Sequence, residues 1–275
     1  MELSTAALIR AALALDLPVE IVHRDQNVLR IILPQQTLYV ANGEGDWNTQ
    51  AQSVICKDKS FQYEMFEDLG VFPMTWSFCD PDMADRYEEY RQFDSVESIA
   101  EALEGAVEYP AIVKPNRGSR GNLVALCDST PSLISALKQV FDRHSVYYDY
   151  VGIVQERLDI EQEYRVIVIA GIVHTIIRKD ISEAVFVGNL SPLHWEGSKA
   201  ILETDPELKA ELQTLIDPLY QRFPIHFTGM DIVKTTQGQW KVIELNANPG
   251  FTRFAADQGE EPVDQIYVDL LRSLI

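Results

Sequence analysis

The tightest restriction on this chain is a pair of apolar strands, Gly229–Thr235 and Trp240–Asn246, joined around Gln237-Gly238. If Gln237-Gly238 is a two-residue loop, Asp231 falls opposite Glu244, and Asn246, two residues further along, shares their face. Directly opposed carboxylates destabilise a ladder unless a cation lies between them. A solvated acidic face is the alternative, but Val233 and Val242 share this face and make it at least half buried. A divalent cation held by oxygen ligands, with phosphate completing its shell, supplies the missing charge. The same register opposes Lys234 to Lys241, which needs a wet face there or a bulge that shifts the pairing.

Charge narrows the partners. The 275 residues carry 23 Lys and Arg against 42 Asp and Glu, a net charge of −19. Such a chain repels nucleic-acid backbones and anionic lipid, so neither nucleic acid nor a membrane surface is expected as a partner. Any anion site must be built locally from a few basic groups and backbone amides. A hydrophobic fraction of 46% supports an ordinary packed core. The three cysteines, Cys56, Cys79 and Cys127, fit neither a disulfide framework nor a zinc site, which points to a reducing, cytoplasmic setting. The apolar start, Met1 to Leu15, carries Glu2 and Arg10 and reads as an amphipathic helix beginning near Ser4 or Thr5 rather than a signal peptide.

Further along, Val19–His23, Val28–Leu33 and Thr37–Val40 read as strands, and Ser60 reads as the cap of a helix that stops at Gly70. Helices are expected at Ser95–Glu104, from Thr130 to about Arg143, from Asp205 to about Tyr220 with a kink at Pro218, and at Pro262–Ser273. Strands are expected at Ala111–Pro115, Leu123–Cys127, Val151–Leu158, Tyr164–Ala170 and Ile172–Arg178. Helices and antiparallel pairs alternate in two blocks, an α+β pattern with more than one lobe.

Two more segments carry chemistry. Strand Ala111–Pro115 leads into Gly118-Ser119-Arg120-Gly121, where glycines let backbone amides approach phosphate oxygens and Lys114 offers a point charge. Without a following helix this is no Walker loop, and taken alone it also reads as a plain hairpin. Gln155-Glu156-Arg157-Leu158 ends an apolar strand where the two halves meet, a place suited to a flat ligand. With a turn at Ala170-Gly171, Glu163 faces Arg178, either as a small cross-strand ion pair or as part of a site. The five histidines have no ligand spacing, and Ser119 has no hydrolase partners.

In order and spacing these pieces resemble the ATP-grasp superfamily, most nearly its ribosomal-protein glutamate ligase (RimK-like) branch and the glutathione and cyanophycin synthetases. Lys57-Asp58-Lys59 with Gly70-Val71-Phe72-Pro73-Met74-Thr75 resembles one family segment, and Tyr109–Pro115 with Gly118–Gly121 its second lysine and phosphate loop. Gly229-Met230-Asp231 and Glu244–Gly250 resemble its magnesium-binding end. The resemblance implies two α+β lobes with ATP between them: a reduced N-terminal segment at 1–50, a central lobe at 51–154 and a C-terminal lobe at 155–275. It implies ATP and Mg²⁺, or Mn²⁺ in its place. Lys59, Lys114, Gly118, Ser119, Arg120 and Gly121 would meet the phosphates, Gln155, Glu156, Arg157 and Leu158 the adenine, and Glu163 the ribose. Asp231, Glu244 and Asn246 would hold the metal. Lys114, Arg178 and Asn189 are the candidate catalytic groups, and Arg120, Arg165 and Arg253 the candidate substrate binders.

The activity implied is a ligase that activates a carboxylate as an acylphosphate and joins it to an amine of an amino acid, peptide or protein. A small-molecule kinase of the same fold and a non-catalytic nucleotide binder are the alternatives. A homo-oligomer is compatible with the sequence.

Overall fold

The computed structural model describes residues 2–83 and 85–275, with the backbone alone at Asp85 and Arg86. Its N-terminal unit is a helix, α1 (Leu3–Ala14), followed by an antiparallel sheet of β1 (Val19–Ile21), β2 (Val28–Ile32), β3 (Thr37–Ala41) and β4 (Glu44–Gly45). Ser4 and Thr5 do not cap α1: both are buried within it, and Glu2 stands at the cap position without a side-chain hydrogen bond. Alternation along β2 and β3 sends Leu29, Ile31, Leu38 and Val40 inward and their neighbours to solvent.

Two short helices follow, α2 (Gln50–Lys57) and α3 (Lys59–Phe66), the second extended by a 3-10 turn to Leu69. Thr49 and Gln52 form a reciprocal capping box on α2, a helix the sequence reading missed. The cap of α3 is Asp58, not Ser60: its carboxylate accepts from the Phe61 amide. Gly70 ends the run at φ +64°, a left-handed conformation that glycine takes without penalty.

The central sheet has the order β5 (Thr75–Cys79), β8 (Val151–Glu156), β6 (Ala111–Pro115), β7 (Ala125–Cys127). One face is covered by α4 (Val96–Ala102) and α5 (Thr130–Val140), which bury Ile99, Leu133, Leu137 and Val140 against Val113 and Val154.

The third sheet is five antiparallel strands in the order β11 (Lys199–Glu203), β10 (Ile172–Asp180), β9 (Ile160–Ile169), β12 (Phe227–Thr235), β13 (Trp240–Asn246). One face packs on α6 (Pro206–Arg222), α2 and α3 through Tyr164, Val166, Val168, Ile176, Met230 and Leu245. The other packs on the N-terminal unit, α7 (Thr252–Gln258) and α8 (Glu261–Arg272) through Ile167, Ile169, Ile177 and Phe227. The period of two then dictates the rest. Glu163, Arg165, Lys179, Asp231, Glu244 and Asn246 belong to this second face, beyond the reach of its core, and they look toward the central sheet. Pro218 stays inside α6, which continues to Arg222 because the proline is solvent-facing and water can serve the freed carbonyl.

Both expected registers hold in part. Asp231 pairs with Glu244 and Gly229 with Asn246, but a bulge beside Ile243 sets Lys234 opposite Trp240 and Val233 opposite Lys241, so no lysines are opposed. In β9–β10 the pairing shifts at His174, so Glu163 faces Lys179 and Arg178 faces Tyr164.

Candidate functional site

A cleft of about 1270 Å³ separates the central sheet from the open part of the third sheet. The central side contributes Lys114 from β6, Gln155 and Glu156 from β8, Arg157 and Leu158 from the link to β9, and the glycine loop. Lys114 is buried and its ammonium donates to the Gln155 carbonyl oxygen at 2.9 Å. The Gln155 amide donates to the Thr75 hydroxyl at 2.7 Å, which in turn donates to the Pro73 carbonyl at 2.8 Å. The Pro73-Met74-Thr75 segment is thus a support for the lysine, a role not visible from the sequence. Burial, and after it the charge of Lys59, lowers the Lys114 ammonium to about 8, with Glu244 partly offsetting both.

Lys59, in the first turn of α3, reaches the base of the glycine loop. Its ammonium donates to the Gly118 carbonyl at 2.8 Å and the Asn116 carbonyl at 3.3 Å, and lies 3.3 Å from a Glu244 oxygen. Ser119 and Arg120 are exposed, and Arg120 and Gly121 have φ of +59° and +71°. Opposite them, Asn189 in the β10–β11 connection donates to the Arg120 carbonyl at 3.0 Å. A Cβ on Gly121 would lie 2.1 Å from the Asn189 side-chain oxygen, so any other residue there, already strained at φ +71°, would push the Asn189 side chain aside.

The third sheet brings Asp231, Arg165 and Glu244 into one row across three strands. Arg165 grips Asp231 with two parallel hydrogen bonds, 3.0 Å from Nε and 2.8 Å from Nη2. Lys179, 3% exposed, lies 3.2 Å from the same carboxylate and donates to Glu163. Burial alone would raise the Asp231 carboxyl, but Arg165 and Lys179 outweigh it and hold the group far below its ordinary range. Burial opposes the charge of Lys179 too, and Asp231 and Glu163 override it, so the ammonium is held above its usual value. Burial and the charge of Asp231 raise Glu244 as well, but Lys59, Lys114 and the Asn246 hydrogen bond together outweigh them and hold it below its usual value. The Asn246 amide donates to Glu244 at 3.2 Å.

Most of the expected residues therefore gather at the cleft: Lys59, Lys114, Gly118 to Gly121, Gln155 to Leu158, Glu163, Arg165, Asp231, Glu244, Asn246 and Arg253 all line it. Asn189 meets it through the glycine loop. Arg178 does not. It shares the face of Ile176, against α6, and is bound by Glu203 at 2.5 Å and Asp180 at 3.4 Å. The cation delivered by β10 is Lys179, and the one-residue shift at His174 is the reason. Arg165 is engaged with Asp231 rather than free for a substrate. Arg253, at the start of α7, donates to Asp257 at 2.9 Å and to the Ser198 carbonyl.

Among the described residues, no cluster of three or more His, Cys, Asp or Glu side chains is arranged to hold a metal ion. No described helix is long and apolar enough to cross a membrane.

The sequence profile of the RimK-like ATP-grasp domain matches residues 87–269. Solved structures with the same fold include D-alanine–D-alanine ligase from Bacillus anthracis (TM-score 0.56, 20% identity, 82% of this chain and 67% of that one). A bifunctional glutathione synthetase from Pasteurella multocida matches over all of this chain and 44% of its own (TM-score 0.61, 16% identity). The ATP-grasp ligase PsnB, complexed with a minimal precursor, matches over 82% of this chain and 63% of its own (TM-score 0.53, 17% identity). The chain thus spans about two thirds or less of each of these proteins. No match is found among curated proteins.

Proposed function

Since the chain belongs to the RimK-like ATP-grasp family, we propose that it is an ATP-dependent carboxylate–amine ligase acting on an amino acid, peptide or protein side chain. The observation that carries this reading is the convergence of Lys59 and Lys114 with Glu163, Lys179, Asp231, Glu244 and Asn246 on a single cleft. Its volume of about 1270 Å³ exceeds the roughly 300–1,000 Å³ of a pocket for one small ligand, leaving room for a nucleotide and an acceptor.

In this reading a carboxylate oxygen of the first substrate attacks the γ-phosphorus of ATP. The bond from that phosphorus to the β–γ bridging oxygen breaks and ADP leaves. The amine nitrogen of the second substrate then attacks the acyl carbon of the acylphosphate, the acyl C–O bond breaks, and phosphate departs as the nitrogen gives up a proton. The protein's contribution is positioning and charge. Gln155 to Leu158 flank the adenine, and Glu163 accepts from the ribose. Lys59, Lys114 and Lys179 meet the phosphates, with Lys179 in the part expected of Arg178. The glycine loop, with Asn189 against it, keeps water from the acylphosphate. Arg120 is left to face a substrate carboxylate, because a guanidinium offers a planar fork to such groups, and Arg253 could do so only by giving up Asp257 or the Ser198 carbonyl.

The donor set of Asp231, Glu244 and Asn246 is all oxygen, which suits Mg²⁺ or Mn²⁺. These three side chains would hold such an ion, and it would supply positive charge to offset that of the phosphates. A second structure of PsnB, complexed with a precursor peptide, supports a substrate of the peptide class.

The test is a phosphate-release screen with ATP and Mg²⁺ over pairs of amino acids and short peptides. The ligase releases ADP and phosphate only when both a carboxylate and an amine are present. A stable phosphorylated product would overturn the reading in favour of a kinase. Glu244→Ala is expected to abolish turnover with the fold intact, and retained turnover would count against the metal assignment.

A further inference from the structure

Around Glu163, Asp231 and Glu244 the cleft is locally cationic, while Glu2, Glu156 and Glu161 line it elsewhere together with Arg120, Arg157 and Arg253. Glu163, Asp231 and Glu244 face Lys59, Lys114, Arg165 and Lys179, four positive groups against three negative ones. The excess is local, since the chain as a whole carries −19. The carboxylates are also engaged. One Asp231 oxygen accepts from Arg165 Nε at 3.0 Å and lies 3.2 Å from Lys179, and the other accepts from Arg165 Nη2 at 2.8 Å. One Glu244 oxygen accepts from Asn246 and the other lies 3.3 Å from Lys59. All four oxygens have internal partners, and Asp231 and Lys179 are 5% and 3% exposed, so water screens these contacts poorly.

We infer that Asp231, Glu244 and Asn246 accept a divalent cation only together with a polyphosphate, Arg165 and Lys179 serving until then as internal counter-ions that shut free metal out. This rests on the nucleotide reading above and adds an order of binding to it. A lone divalent ion would enter a site already positive and displace a two-pronged guanidinium contact. A triphosphate, being a polyanion, reverses the sign of the cleft, gives Lys179 and the two lysines of the other wall a new partner, and supplies the oxygens that the protein lacks. The coupling is reciprocal, so the metal must tighten the nucleotide by the same factor.

Equilibrium dialysis of the full chain against Mn²⁺, with and without a non-hydrolysable ATP analogue, reads this directly, independent of turnover. The protein alone should retain little Mn²⁺, and the analogue should tighten retention on the order of 100-fold. Arg165→Met and Lys179→Met each remove one counter-ion while keeping an apolar stem, and each should raise Mn²⁺ retention without nucleotide by about tenfold or more. Circular dichroism confirms the fold of each variant, and the wild-type comparison stands even if one variant fails to fold. Equal retention with and without the analogue, or no gain in either folded variant, overturns the counter-ion role while leaving the nucleotide reading in place. Failure to bind the analogue in any condition overturns both.

Discussion

Lys114 shows how a single buried charge sets the working range of the cleft. Burial, then Lys59, brings its ammonium from 10.5 to about 8. The charge is therefore complete well below pH 8 and lost as pH rises through it. Between about 8 and 10.5 the unfolded chain binds the proton more tightly than the folded one, so this residue's cost to stability fades as pH rises. The KM for ATP should rise between pH 7 and pH 9, and Lys114→Arg, which keeps its charge, should flatten that profile. A wild-type KM that does not change over this range would remove Lys114 from phosphate binding. At this scale the sequence was legible where neighbours in one strand decide the face. Asp231 falls opposite Glu244 as the pattern required, but through two departures that cancel: the loop is one residue longer than Gln237-Gly238, so Lys234 pairs with Trp240, and the bulge beside Ile243 restores the expected pairing. Arg178 was misread for the same reason that Lys179 was missed: the pairing slips by one at His174, and a slip of one turns every later side chain to the other face. Nothing in His174-Thr175 announces that bulge.

Elements were legible where a cap or a turn residue marks them and obscure where packing alone makes them. The glycine stops and the proline starts fixed most helices, and Thr49-x-x-Gln52 was a readable box that would have revealed α2. β5 and β11 carry no such mark, and α7 has only the glycine at its end, Gly259. Thr75–Cys79 alternates weakly, Lys199–Glu203 is short, and Thr252–Gln258 has no side-chain cap, so neighbouring elements hold them in place. The element with most bearing on chemistry is the β10–β11 connection. From the Arg120 carbonyl, hydrogen bonds run through Asn189, Trp195 and Ser198 to Arg253, tying the glycine loop to α7. Gly121→Ala should part the two loops, since its Cβ would lie 2.1 Å from Asn189 at a φ of +71°. Turnover is expected to fall about tenfold, or about 1.4 kcal/mol of transition-state stabilisation, with little change in Tm because the loops are exposed. Steady-state kcat beside a thermal melt checks this, and a large drop in Tm would show that the glycine serves stability instead.

For the molecule as a whole, the three sheets do not each close a core of their own. Residues 2–49 close the same core as α7 and α8: Leu8, Ala11, Leu29 and Trp47 meet Phe227, Tyr267, Leu270 and Leu271, and Arg10 grips Asp264 at 2.7 and 2.6 Å. Asn48 fastens the join with hydrogen bonds to the backbone of His226 and Phe227. Each large apolar side chain uncovered costs about 1.5–3 kcal/mol. Several together exceed the roughly 5–15 kcal/mol that holds a typical domain. A chain lacking residues 1–47 should thus show no cooperative melt and aggregate during size-exclusion chromatography. A monomer with a sharp transition would mean that the segment is an appendage. Sequence patterning could say that α1 and α8 are amphipathic; which faces meet is decided only once the chain is folded.

The helix that carries Lys59 is pinned to both walls: the Gln62 side chain bonds the amide and the carbonyl of Leu245 in β13, while the Ser60 amide donates to the Asn116 side chain and the Lys59 ammonium to the Gly118 carbonyl. It therefore acts as a rivet through the floor of the cleft, and any widening at the mouth must pivot about it rather than pull the two lysines apart.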